Sequence, residues 1–330
     1  MLIIRASDLR NALPMNETIS AMKAAYAALS AGRAEVPLRT RLSVEAQEGT
    51  CLIMPAYVKS DLGEVLSLKV VTLYQKNPTH GFPLIHAAVL AIEAETGRFQ
   101  ALLEGSVLTA IRTGAASGAA TDLLARPDSR VAAIFGAGVQ GRTQLEAICT
   151  VRAIQMAWIY DPSPPQVERF ISEMAGKEPV PEDLRPASSP EQAVANADII
   201  CTATTSTSPV FEDRDLKPGV HINGVGSYTP EMQEVPTETV ARALLVVDSR
   251  SASLVEAGDL VKPIREGLIT AQSIHAELGE IVLNQKPGRS QHDQITFFKS
   301  VGVAVQDALA AQLALQNAVK LGLGQQVDWI

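Results

Sequence analysis

The apolar run Val131-Ala-Ala-Ile-Phe135 passes into Gly136-Ala-Gly138-Val139-Gln140-Gly141, and a second apolar run closes on Asp161, 20 residues after the last glycine. That order of strand, glycine turn, helix, strand and acid is the chemistry of dinucleotide binding. Gly136 permits the tight turn, Gly138 lets backbone approach a pyrophosphate, and Gly141 lets helix and sheet pack closely. The unpaired N–H groups at the helix start face the phosphate oxygens. A carboxylate at Asp161 can bond the ribose hydroxyls and repel the extra phosphate of NADP(H), so NAD(H) is the expected cofactor and NADP(H) the less favoured one. Asp161 can also cap the helix that begins near Pro165, and the two roles are compatible.

The elements around this motif define the fold class. After Asp161, helical segments at Val167–Met174 and Pro190–Ala197 alternate with apolar strands at Asp198–Ala203, Val220–Gly224 and Leu244–Asp248. Such alternation predicts an α/β domain, a Rossmann-type doubly wound parallel sheet. Before it, Leu9, Leu13, Ile19, Met22, Tyr26 and Leu29 recur at helical spacing, and residues 39–103 break into short alternating runs separated by turn signals. This first third reads as a second, α+β domain. Thr109–Leu124, rich in alanine, reads as a packed helix leading into the nucleotide domain, and Val303–Leu323 as a helix that returns to the first domain. The expected boundaries are 1–115 plus 310–330 for a substrate and dimerisation domain and 116–309 for the Rossmann domain.

Composition narrows the partners. Twenty-eight Lys and Arg stand against 36 Asp and Glu, a net charge of −8 without any basic run, which speaks against a nucleic-acid or anionic-membrane partner and for a small molecule. Cys51, Cys149 and Cys201 are scattered, and the five histidines lack metal-ligand spacing, so no metal is expected and the thiols read as core residues in a reducing compartment. The short apolar N-terminus and the absence of a long apolar window point to a cytoplasmic protein.

With the glycine motif placed, Ile111-Arg112-Thr113-Gly-Ala-Ala116, Phe135–Gly141 and Phe298-Lys299-Ser-Val-Gly302-Val-Ala-Val-Gln-Asp307 together resemble the ornithine cyclodeaminase/mu-crystallin family along nearly the full chain. The resemblance implies a homodimer, and it carries over Arg41, Lys69 and Arg112 as polar residues of the substrate pocket. Their chemistry agrees. Arg112 has a planar fork of donors suited to an α-carboxylate, Arg41 is a second cation, and Lys69 sits in an apolar strand where its charge needs a partner or a substrate. Candidate cofactor residues are Thr113, Gly136, Gly138, Val139, Gln140, Gly141, Asp161, Thr202, Thr204, Gly224, Gly226, Ser227, Lys299 and Gly302. Ser300 is placed with the last two. Glu93, Glu95 and Glu104 are candidates near the pocket, with a charged loop the simpler reading for the first two.

One departure discriminates within the family. Cyclodeaminases and the archaeal alanine dehydrogenase branch place an aspartate as acid/base in the turn where this chain has Ser227, and mu-crystallin-like ketimine reductases have a serine there. A serine cannot take up a proton at neutral pH as a carboxylate can. The resemblance therefore implies NADH-dependent reduction of a small α-imino acid, cyclic or acyclic, with Lys69, Arg112 and Ser227 as catalytic residues. Cyclodeamination with catalytic NAD⁺, an alanine-type dehydrogenase and a non-catalytic dinucleotide-binding protein are the alternatives.

Overall fold

The structure is a computed structural model that describes residues 1–60 and 63–329. The chain divides into two units, one of Met1–Arg112 with the chain from Val303 onward, the other of Thr113–Gly302. The second boundary falls seven residues before the expected 309/310, for a physical reason. Ala304–Leu321 is one uninterrupted helix, so its whole length belongs with the unit on which it packs. The first boundary lies at 112/113, inside the helix Gly105–Leu124, rather than at 115/116.

The first unit is built on an eight-stranded sheet. Gly49–Ser60 and Gly63–Tyr74 form its long central hairpin, flanked by Thr40–Val44 on one side and by Ile85–Ile92 and Phe99–Glu104 on the other. The N-terminal Leu2–Ile4, too short to be read as a strand from sequence, adds to Phe99–Glu104 in parallel. Alternation sorts the side chains. Met54 stands opposite Lys69, and Lys69 opposite Val89, so all three share the face that the helices Met15–Ser30 and Ala304–Leu321 cover. Arg41 pairs with Leu52 and therefore lies on the same face. The other face carries Leu42, Ile53, Leu66, Leu68, Val70, Leu90 and Leu102, none of them fully buried.

The second unit holds eight parallel strands in the spatial order Asp183–Pro186, Met156–Tyr160, Val131–Phe135, Ile199–Thr202, His221–Gly224, Thr296–Lys299, Leu244–Val247 and Ala276–Glu277. The chain moves outward from Val131–Phe135 in one direction, then returns to its other side with Ile199–Thr202. This reversal opens a crevice at the carboxyl ends of the two strands, the place where open α/β sheets hold ligands. Close helix packing depends on small residues: a Cβ on Gly114 would lie 2.4 Å from the Thr143 carbonyl oxygen. Among the described residues no helix is long and apolar enough to cross a membrane.

Candidate active site

The glycine turn forms one wall of a cleft of about 610 Å³ at this crevice. Gly136 adopts φ +98°, which only glycine takes without strain, and its N–H donates to the Tyr160 carbonyl. Around Gly138 a Cβ would meet nothing within 4 Å, so the backbone there is open to the cleft. Gly141 is the opposite case, since a Cβ on it would sit 2.0 Å from the Gly136 carbonyl oxygen. Val139, 66% exposed, and Gln140 open the helix Val139–Val151 at the turn. Asp161 closes the cleft: its Oδ2 accepts from the Ala137 N–H and its Oδ1 from the Ser163 N–H, both at 2.9 Å. That carboxylate thus braces the glycine turn and caps the following turn while lining the cleft with Ser163, Ala203 and Thr204. An open glycine, a helix N-terminus and an acid at the neighbouring strand end fit a dinucleotide. Gly141→Ala is expected to destabilise the fold by about 1–3 kcal/mol, because overpacking must displace the helix. It should also abolish measurable NADH binding by fluorescence titration.

Other residues assigned to the cofactor prove to lie one layer deeper. Thr202, Gly224, Gly226, Ser227, Lys299 and Gly302 are all buried. Thr202 donates to Glu234 Oε2 at 2.9 Å, and the Gly226 and Ser227 N–H groups donate to the same oxygen at 2.7 and 3.2 Å. Lys299 Nζ lies 3.2 Å from Asp259 Oδ2 and donates to the Gly224 carbonyl. The Ser300 hydroxyl and the Val301 and Gly302 N–H groups all donate to Asp248 Oδ2. None of these residues is among those that line the cleft. The Ser227 hydroxyl donates to the Met232 carbonyl and accepts from the Asp259 N–H, so it fixes its own turn. Thr113 is half-buried, and its carbonyl accepts from Gln144.

In the first unit a single carboxylate gathers two of the three expected cations. Asp307, at the start of Ala304–Leu321, holds Lys69 Nζ at 2.6 Å and Arg112 Nε at 3.0 Å. Arg112 Nη1 donates to Gln306 Oε1, and Gln306 in turn donates to the Tyr26 hydroxyl. Nε and one N–H of Nη1 are thereby committed. Burial lowers the pKa of Lys69 to about 8; Asp307 opposes the fall, while Arg112 and Arg39 add to it. For Asp307, burial pushes upward, yet Arg112 and Lys69 outweigh it and keep the carboxyl below its ordinary range. Arg41 is exposed and reaches Thr50 at 3.4 Å, so it shares the face but not the cluster. Glu104 accepts from the Ser106 and Val107 N–H groups and so caps the helix that carries Arg112, while Glu93 bonds Thr96 and Arg98 within its own turn. Sequence reasoning missed Asp307, Gln306, Glu234, Asp259 and Asp248. The aspartate and glutamine closed a motif already noticed, which was the available signal.

A doubly wound parallel sheet with a glycine turn and an acid at its switch point defines a Rossmann-type protein of the dinucleotide-binding class. The chain is a member of the ornithine cyclodeaminase/mu-crystallin family, whose model matches residues 1–321, and it is an oxidoreductase. It is 41% identical to a Δ1-pyrroline-2-carboxylate reductase of Bacillus cereus over the full length of both chains. It is also similar to the Thermococcus litoralis Δ1-pyrroline-2-carboxylate reductase solved with NADH and L-proline, at 43% identity and TM-score 0.94, covering 99% of this chain and all of that one. An archaeal alanine dehydrogenase dimer with bound NAD matches at 29% identity and TM-score 0.92, covering 100% of this chain and 99% of the other.

Proposed function

We propose that the chain reduces Δ1-pyrroline-2-carboxylate, or a closely similar small α-imino acid, to the amino acid with NADH. The observation that carries this reading is the Lys69–Asp307–Arg112 cluster, in which one buried carboxylate fixes a planar anion-binding fork beside an ammonium group poised near neutrality. Bound NADH supplies the hydride that reduces the imine carbon. Arg112 binds the substrate carboxylate and orients it, and binding is thereby converted into proximity. The Lys69 ammonium holds the proton that the imine nitrogen gains as C=N becomes CH–NH. Ser227, locked in its turn, leaves no acid/base in the position a cyclodeaminase uses. The test follows NADH absorbance while purified protein meets Δ1-pyrroline-2-carboxylate, with NADPH alongside. Consumption of NADH with formation of proline supports the reading; silence with both cofactors refutes it.

The reading extends to cofactor choice and assembly. Asp161 presents its carboxylate to a cleft whose described lining residues include no Lys or Arg, which supports NAD(H) over NADP(H). Asp161→Ser is expected to raise the NADPH-to-NADH ratio of kcat/KM by about ten- to a hundredfold, since like-charge juxtaposition costs several kcal/mol. An unchanged ratio would remove Asp161 from cofactor selection. The apolar sheet face bearing Leu42, Leu68, Leu90 and Leu102 is the surface on which a second copy is proposed to pack. The expected particle mass is twice 35.1 kDa, falling to the monomer in Leu68→Glu.

A further inference from the structure

We propose that Glu234 is a positioning residue that straps together the two loops forming the nicotinamide side of the cofactor cleft. The inference rests on the dinucleotide reading above and is independent of which imine is the substrate. The Glu234 carboxylate is fully buried and accepts hydrogen bonds from five donors. Its Oε1 takes the Thr204 N–H at 2.6 Å and the Thr204 hydroxyl at 2.8 Å. Its Oε2 takes the Thr202 hydroxyl, the Gly226 N–H and the Ser227 N–H. Oε1 holds the loop Ala203–Ser206 that follows Ile199–Thr202, and Oε2 joins Thr202 itself to Gly226–Ser227, which follow His221–Gly224, so the carboxylate bridges the two strand ends.

A buried carboxylate is retained only where donors replace its hydration, and here those donors are three backbone N–H groups beyond the carboxyl ends of two central strands and two threonine hydroxyls. The backbone around Glu234 ties the same elements. Its carbonyl accepts from the Val210 N–H, and the Gln233 N–H donates to the Ser206 carbonyl, so residues 233–234 run alongside the cleft wall as a strap. Asp259 Oδ1 accepts from the Glu234 and Val235 N–H groups, and its other oxygen pairs with Lys299. Gly226 leaves room for this arrangement, because a Cβ there would lie 2.4 Å from Glu234 Oε1.

The topology assigns the strapped loops to one half of the cofactor. The glycine turn and Asp161 lie at the ends of Val131–Phe135 and Met156–Tyr160, where phosphates and the adenosine ribose are held. Thr204 and Gly226 lie across the switch point, just beyond the strands Ile199–Thr202 and His221–Gly224, and a dinucleotide spanning the crevice brings its nicotinamide half there. Thr204, which lines the cleft, is held at both its backbone and its hydroxyl by Glu234.

The test is a fluorescence titration of the full-length protein with NADH, paired with calorimetric binding of ADP, which lacks the nicotinamide riboside. Glu234→Gln places an amide donor against N–H donors and is expected to raise the Kd for NADH by about tenfold or more while leaving that for ADP within about twofold, with far-UV circular dichroism retained. Thr202→Val removes one hydroxyl donor without changing shape and is expected to weaken NADH by about threefold. Equal affinity for NADH in both variants, or equal loss of NADH and ADP, overturns the strap. Should Glu234→Gln fail to fold, Thr202→Val alone decides, an unchanged NADH affinity refuting the proposal. Wild-type protein that binds ADP and NADH equally weakly refutes the cofactor reading itself, a result separable from failure of the variants.

Discussion

Arg112→Met is expected to lower kcat/KM for Δ1-pyrroline-2-carboxylate by roughly 30- to 5,000-fold, because truncating one member of a buried, hydrogen-bonded charge pair costs about 2–5 kcal/mol. The side chain is buried and meets Asp307 and Gln306 through Nε and Nη1, so the guanidinium is held before any substrate arrives. Methionine fills similar space and supplies no donor. The substrate carboxylate then loses its oriented partner, and the loss appears in both KM and kcat because orientation suffers as well as binding. Arg112→Lys retains the charge but not the planar fork, and an intermediate loss is expected. NADH affinity provides the control. The glycine turn and Asp161 make no use of Arg112, so a fluorescence titration should return the wild-type Kd. Turnover near wild type in Arg112→Met would remove the residue from substrate recognition.

How much of this was legible in the sequence follows from the distance over which each feature is encoded. The glycine turn and Asp161 lie within one βαβ unit, so spacing alone conveyed their arrangement. The alternating strands of the first unit were legible for the same reason, since Cys51–Met54 and Val65–Val71 are segments of the longer hairpin Gly49–Ser60 and Gly63–Tyr74. The short helices Thr237–Arg242 and Leu278–Val282 gave no periodic signal, being only one or two turns long. The site clusters were hidden in another way. Arg112 and Asp307 are 195 residues apart, and no local pattern brings a late acid to an early arginine. Glu234 follows Ser227 in an irregular stretch and resembles an ordinary loop acid until the two strand ends converge on it. Lys299 read as a cofactor residue within the motif Phe298–Asp307, and only the fold reveals that its ammonium group pairs with Asp259.

Asp307→Asn is the variant in which pH separates chemistry from packing. In the wild type the Lys69 pKa is about 8 because Asp307 partly offsets burial and the neighbouring Arg112 and Arg39. In the proposed reaction Lys69 acts in its protonated form, so kcat/KM should be flat below that value and fall by about a factor of ten per pH unit above it. Replacing Asp307 by asparagine removes the negative charge that raises the Lys69 pKa and keeps the burial and the Arg112 and Arg39 charges that lower it. The inflection must therefore move to lower pH, and activity lost at pH 8 should be partly recovered at pH 6. Two buried cations left with one neutral amide also destabilise the fold, by about 3–5 kcal/mol as for other broken buried pairs, which thermal unfolding would register. A packing defect alone would depress activity equally at every pH at which the protein remains folded. A displaced inflection, measured well below the melting temperature, is the signature that Asp307 sets the proton on Lys69, and an unmoved inflection would leave Asp307 with a purely structural role.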